Sequence, residues 1–232
     1  MIGIIPAAGI GSRMGLEIPK QYLRIHERSI LDYSIAALLA DARIQEVIVA
    51  LHPDDTLFVS TEAANDPRVH SVIGGTTRAK SVQNALEHAA LQAEKNTLVV
   101  VHDAARPGLP PDALARLLDQ AERDPQRGCV MALPVRDTLK SASSQWHITG
   151  TVDRQTVWQA QTPQVFLLEA LHHALQHAER AGSQITDESS AIEALGGRPK
   201  LVLGSRAAMK VTDPDDLPLV SFYLSQQQQG DL

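Results

Sequence analysis

The chain has 232 residues, 44% hydrophobic and 21% charged, with a formal net charge of −6. That length suffices for one large α/β domain with a substantial core, and the acidic balance argues against non-specific nucleic-acid binding. The single cysteine, Cys129, cannot form an internal disulfide; no Cys/His spacing suits a metal, no apolar run is long enough to span a bilayer, and an N-terminus without a basic leader implies a cytoplasmic location.

In chain order, residues 2–5 form the first strand candidate. The strand breaks at Pro6 into the small residues Ala7-Ala8-Gly9-Ile10-Gly11, followed by Arg13 and Lys20. Small residues let backbone N–H groups approach an anion closely, so a nucleoside triphosphate is the expected ligand. No Gly-Lys-Ser/Thr follows, which excludes a P-loop. Met14 occupies the third-glycine position of a dinucleotide fingerprint. Taken alone, Arg13 and Lys20 read somewhat more readily as a solvated surface pair.

Further strands are expected at 46–51, 69–73, 97–102, 129–134 and 200–203. Several are almost wholly apolar, as in a parallel sheet covered on both faces. Helical spacing covers 30–40, 79–93, 111–123, 168–181, 187–195 and 215–224, and the glutamine tail 226–229 is expected to fray. The alternation predicts a single doubly wound α/β domain over 1–232. Between residues 135 and 157 the pattern changes to two short strand candidates, 138–142 and 146–152, around Ser143-Ser144-Gln145. This reads as an inserted β-hairpin. A lone hairpin is marginal in water, so it packs either on its own domain or on another subunit; the pattern leaves both open.

Asp103 and Arg106 fall just beyond strand 97–102, where open α/β sheets have their ligand crevice. An Asp there suits a sugar hydroxyl or the vicinity of Mg²⁺, and an Arg suits a phosphate, although a local turn would use the same pair. Gly74-Gly75-Thr76-Thr77-Arg78 opens a helix containing Ser81; its amides could read a base edge or phosphate, or simply cap the helix. Thr186-Asp187-Glu188 reads as a capped helix start. His173 and His177 lie four apart without a third ligand, which favours a surface pair over a metal site.

The ordered set Pro6-Ala7-Ala8-Gly9-x-Gly11-x-Arg13-Met14, Pro19-Lys20-Gln21-Tyr22, Gly74-Gly75-x-x-Arg78 with Ser81, and His102-Asp103-Ala104-Ala105-Arg106-Pro107 continues along the chain. Pro134-Val135-x-Asp137-Thr138, Thr151-Val152-Asp153-Arg154, Thr162-Pro163-Gln164, Thr186-Asp187-Glu188 and Lys210-Val211-Thr212 complete it. Together these resemble the 2-C-methyl-D-erythritol 4-phosphate cytidylyltransferases. The resemblance implies an α/β, Rossmann-like nucleotidyltransferase fold: a mostly parallel sheet, helices on both faces, and a β-arm projecting to clasp a second subunit of a homodimer. It implies transfer of CMP from CTP to the polyol phosphate, with Mg²⁺ held mainly through the CTP phosphates near Asp103. By the same resemblance, Arg13 and Lys20 contact the triphosphate, while Arg154 and Lys210 position the acceptor. Ala7, Ala8, Gly9, Gly11, Gly75, Thr76 and Ser81 surround CTP, with Asp103 at its ribose. Arg106, Thr138 and Thr162 serve the acceptor, the arm residues Thr138 and Arg154 acting across the dimer. Thr76 stands where the family often has an acidic residue; either the backbone reads the base there, or cytidine selectivity loses a carboxylate. Two other readings share these features: a cytidylyltransferase for another polyol phosphate, such as ribitol 5-phosphate, and a non-catalytic nucleotide-sensing module. Asp187-Glu188-Ser189-Ser190-Ala191 and Ala104-Ala105 favour the methylerythritol enzyme over the ribitol one.

Overall fold

Strand β1 (Ile2–Ala7) divides the core into two layers. In the computed structural model, which describes residues 1–9 and 18–230, Ile5 and Ala7 join one apolar cluster and Ile2 and Ile4 the other, the period of two that a strand imposes. The other strands, in chain order, are β2 (Arg24–Ile25), β3 (Arg28–Ser29), β4 (Glu46–Leu51), β5 (Val69–Ile73), β6 (Leu98–Val101), β7 (Cys129–Pro134), β8 (Leu139–Ala142), β9 (Ile148–Val152), β10 (Trp158–Leu167) and β11 (Lys200–Leu203). The helices are α1 (Ile30–Leu39), α2 (Arg78–Ala89), α3 (Pro111–Arg123), α4 (Leu168–Arg180), α5 (Glu188–Ala194) and α6 (Asp216–Gln229).

The main sheet runs β11-β7-β10-β6-β1-β4-β5, all parallel except β10, which is antiparallel to both β6 and β7. Leu31, Ile35 and Leu38 of α1 and Leu114, Leu117 and Leu118 of α3 cover one face. Val82 and Leu86 of α2, with Leu171 and Leu175 of α4, cover the other. Cys129 belongs to the first layer; its thiol donates to the Leu117 carbonyl at 3.4 Å, and burial pushes its pKa up to about 12. A smaller cluster joins Ile30 and Tyr33 to Ala105, Val211 and Val220, so α6 braces the loop that carries Lys210. Ser29 starts α1 with a capping box, accepting from the Asp32 amide while the Asp32 carboxylate accepts from the Ser29 amide.

The chain moves from β1 outward through β4 to β5, then returns to the other side of β1 as β6. Strand order therefore reverses between β1 and β6, and a crevice opens beyond their carboxyl ends.

Three sequence expectations need correction. Strand β10 falls on a stretch where no strand was expected: Gln159, Gln161, Gln164 and Pro163 mask it, and the ladder to β7 shifts register between Ala160 and Gln164, which accommodates the proline. The second arm strand starts at Ile148 rather than Trp146, because Trp146 takes a left-handed conformation (φ 64°) in the turn. The glutamine tail is helical to Gln229, and the Gln227 amide donates to the Gly108 carbonyl at 3.0 Å. The hairpin at 135–157 does project: β8 and β9 form a separate two-stranded sheet, and Trp146 at its tip is 91% exposed.

Candidate active site

The crevice holds a pocket of about 400 Å³, within the range usual for small-molecule sites. One wall is the segment after β1. The Gln21 side-chain amide donates to the carbonyls of Ala7 (2.8 Å) and Gly9 (3.2 Å), fixing Ala7–Gly9 against the short helical turn that carries Lys20. The Lys20 ammonium donates to the Val211 carbonyl at 2.9 Å, which ties this wall to the loop of Lys210.

The opposite wall is the Gly74-Gly75 turn. A Cβ on Gly74 would sit 2.7 Å from the Ala8 Cβ, so glycine is required for the two walls to approach. The Gly75 amide donates to Ser81 Oγ at 3.0 Å, and the Ser81 hydroxyl donates to the Thr77 carbonyl at 3.0 Å. Ser81 is buried and holds the turn in shape. Thr76 and Thr77 line the same pocket.

The floor is Asp103, two residues beyond the end of β6 at Val101. Its Oδ1 accepts from Arg78 Nε at 2.9 Å, and its Oδ2 accepts from Lys210 Nζ at 2.9 Å and Arg106 Nε at 3.3 Å. Burial pushes the Asp103 carboxyl upward, but Arg78, Lys210 and Arg106 outweigh it and hold the group far below the usual carboxylate range. Arg78 is held in turn by Glu188, whose oxygens accept from both terminal nitrogens at 2.6 and 3.0 Å.

A hydrogen-bonded chain supports Asp103 from beneath. Burial lowers His102 to about 4, so its ring is neutral at physiological pH. His102 Nε2 lies 3.0 Å from the Arg106 carbonyl, which can only accept, so Nε2 carries the proton. Nδ1 must then accept from the Thr162 hydroxyl at 3.0 Å, and Thr162 Oγ1 accepts from the Asp103 amide at 3.0 Å.

These residues offer poor support for a metal ion held by the protein. Among the described residues, no group of three or more His, Cys, Asp or Glu side chains is arranged to bind one. Both Asp103 oxygens already carry cations, so direct ligation would displace Lys210, Arg106 or Arg78.

The chain matches the family profile of 2-C-methyl-D-erythritol 4-phosphate cytidylyltransferase, IspD, over residues 1–226. The chain belongs to the IspD family. It is 49% identical over 229 residues to the 2-C-methyl-D-erythritol 4-phosphate cytidylyltransferase of Yersinia pestis, covering 98% of this chain and 93% of that one. A solved 4-diphosphocytidyl-2C-methyl-D-erythritol synthase superposes with a TM-score of 0.82 at 39% identity, covering 96% of this chain and 97% of that one. The IspD structure from Francisella tularensis gives 0.81 at 31% identity, covering 96% and 98%.

The pocket gathers most of the residues expected from the sequence. Ala7, Ala8, Gly9, Lys20, Gly75, Thr76, Ser81, Asp103 and Lys210 line one pocket. Gly11 and Arg13 lie outside the described residues. Thr138 and Arg154 are on the exposed arm, away from this pocket, and Arg154 donates to the Arg136 carbonyl. Arg106 faces a neighbouring cavity of about 1110 Å³ beneath the arm, which shares Lys210 and Thr212 with the pocket. Thr162 lines neither cavity; its hydroxyl is committed beneath Asp103. Sequence reasoning did not single out Arg78, Gln21, His102 or Glu188 as site residues. Glu188 sits in one of the motifs of the resemblance, but nothing local in that motif points to Arg78, since a carboxylate in a first helical turn is favourable anywhere.

Proposed function

We propose that this chain transfers CMP from CTP to 2-C-methyl-D-erythritol 4-phosphate, giving 4-diphosphocytidyl-2-C-methyl-D-erythritol and pyrophosphate for isoprenoid precursor synthesis in the cytoplasm. The observation that carries the reading is a nucleotide-sized pocket, walled by small residues, with Lys20 and Lys210 converging on it in an acidic protein.

The acceptor is a phosphate monoester with a second pKa of about 6, largely a dianion at neutral pH. It needs no general base. The barrier is electrostatic, because an anion must approach the α-phosphorus of a triphosphate. Opposite unit charges 4 Å apart attract by about 4 kcal/mol at an effective dielectric of 20. A few fixed cations therefore offset much of the repulsion, and positioning supplies the rest.

In this scheme Ala7, Ala8, Gly9, Gly75, Thr76 and Ser81 surround CTP, and Asp103 faces the ribose. Lys20, with Arg13 and Gly11, holds the triphosphate and the charge that develops at the α-phosphorus. Lys210 steers the acceptor phosphate, and Arg106 borders its route. A Mg²⁺ ion, if bound with the nucleotide, would be held by the CTP phosphates rather than by side chains and would supply charge neutralisation there. The exposed arm supports a homodimer in which Thr138 and Arg154 complete the partner's site. Exposed Trp146 and Ile148 are the apolar surface such a clasp would cover.

The test is pyrophosphate release from CTP with a panel of polyol phosphates. Methylerythritol phosphate should give the highest kcat/KM. Preference for ribitol 5-phosphate would reassign the acceptor, and CTP binding without turnover on any acceptor would refute an enzymatic role.

A further inference from the structure

Glu188 is a buried carboxylate that the reaction scheme leaves unused. It is 1% exposed and does not line the pocket. Among the described residues its hydrogen bonds run to Arg78 alone, through both carboxylate oxygens. The remaining nitrogen of that guanidinium, Nε, donates to Asp103 Oδ1 at 2.9 Å. A guanidinium is a rigid planar fork, so gripping two of its nitrogens fixes the direction of the third. Asp103 then presents its other oxygen to Lys210 and Arg106.

Charge points the same way. Arg78, Arg106 and Lys210 face two carboxylates, Asp103 and Glu188. Glu188 neutralises the Arg78 charge at the pocket wall, so the cluster of three cations and two carboxylates keeps one net positive charge.

We propose that Glu188 is a positioning residue: by clamping Arg78 it orients Asp103, and through Asp103 it sets where the Lys210 ammonium meets the acceptor phosphate. The inference rests on the cytidylyltransferase reading. Without the Glu188 charge, the Arg78 guanidinium turns toward the triphosphate. Ground-state binding of CTP is then kept or strengthened while transition-state geometry is lost, so kcat falls without a rise in KM.

The experiment uses the full chain with Glu188→Gln, Arg78→Gln and the double variant. Glu188→Gln should lower kcat about ten-fold or more, with the KM for CTP unchanged or lower. The double variant removes one charge of each sign and so avoids the uncompensated buried charge that could destabilise the single one. Its kcat should equal that of Arg78→Gln, because Glu188 acts only through Arg78. The Arg78 Nε–H, followed by NMR in the free protein, should exchange slowly in the parent and rapidly in Glu188→Gln. Parental kcat and KM per folded molecule in Glu188→Gln would overturn the proposal. So would multiplying effects in the double variant, or unchanged Arg78 exchange. Failure of the parent to turn over CTP with methylerythritol phosphate would instead remove the functional reading, and the NMR result would still decide the clamp.

Discussion

His102 should make stability fall as pH drops from 7 to 5, and His102→Gln should remove that share. Burial lowers the ring to about 4, against 6.5 for an ordinary histidine. Asp103 and the hydrogen bond to the Arg106 carbonyl pull it upward, while the Arg106 and Arg78 charges add to the lowering. Between those two values the unfolded chain binds a proton that the folded chain refuses. Stability therefore rises with pH across this window and is lost as pH falls from about 6.5 toward about 4. Integrating the linkage relation with these two values gives about 2 kcal/mol lost between pH 7 and pH 5. Asp103 does not contribute there: its folded-state pKa is depressed, so its share is present above the unfolded carboxyl value and is lost only below about pH 4. The assay is urea unfolding at several pH values for the parent and His102→Gln. The variant should be less stable at pH 7, because Thr162 and the Arg106 carbonyl lose partners, yet its stability should change less between pH 7 and 5. An identical pH slope in both proteins would refute a neutral buried His102 and the proton assignments built on it.

Lys20→Ala should lower kcat at least about 10²-fold, the scale of losing one preorganised transition-state donor; a folded variant with near-parental turnover would remove Lys20 from that role. Mixing Lys20→Ala subunits with Arg154→Ala subunits should restore activity, because one of the two sites is then intact; heterodimers that stay inactive would argue against a shared site. Ser81→Ala leaves the Gly75 amide without its 3.0 Å acceptor, so chemical denaturation should show a loss of about 1–2 kcal/mol, with a raised KM for CTP.

The parallel framework was legible because β1, β4, β6 and β7 are apolar on both faces and the ends of β1 and β6 lead into the small and charged residues of the crevice. The runs 46–51, 69–73, 129–134 and 200–203 are strands over those residues. Strand β10 was not legible. Its polar residues mean something only once Gln164 pairs opposite Val101 and Thr162 lies under Asp103. The two pocket walls could be read from local spacing, because Ala7–Gly9, Lys20 and Ser81 each sit in a short motif. The Arg78–Glu188 pair could not, since 110 residues separate its members and each has an adequate local explanation as a helix start. Thr162 shows the same limit from the other side: its motif marked it for the acceptor, yet its hydroxyl is used inside the fold.

The sealed Cys129 thiol has a practical consequence. A sulfhydryl with its pKa at about 12, packed in an apolar layer, carries almost no thiolate at neutral pH and resists alkylation. The native sequence is therefore already a silent background for maleimide chemistry. Trp146→Cys would add one reactive handle at the tip of the arm. A spin label or fluorophore there would report whether two such tips sit at a fixed separation in solution, with no other residue altered.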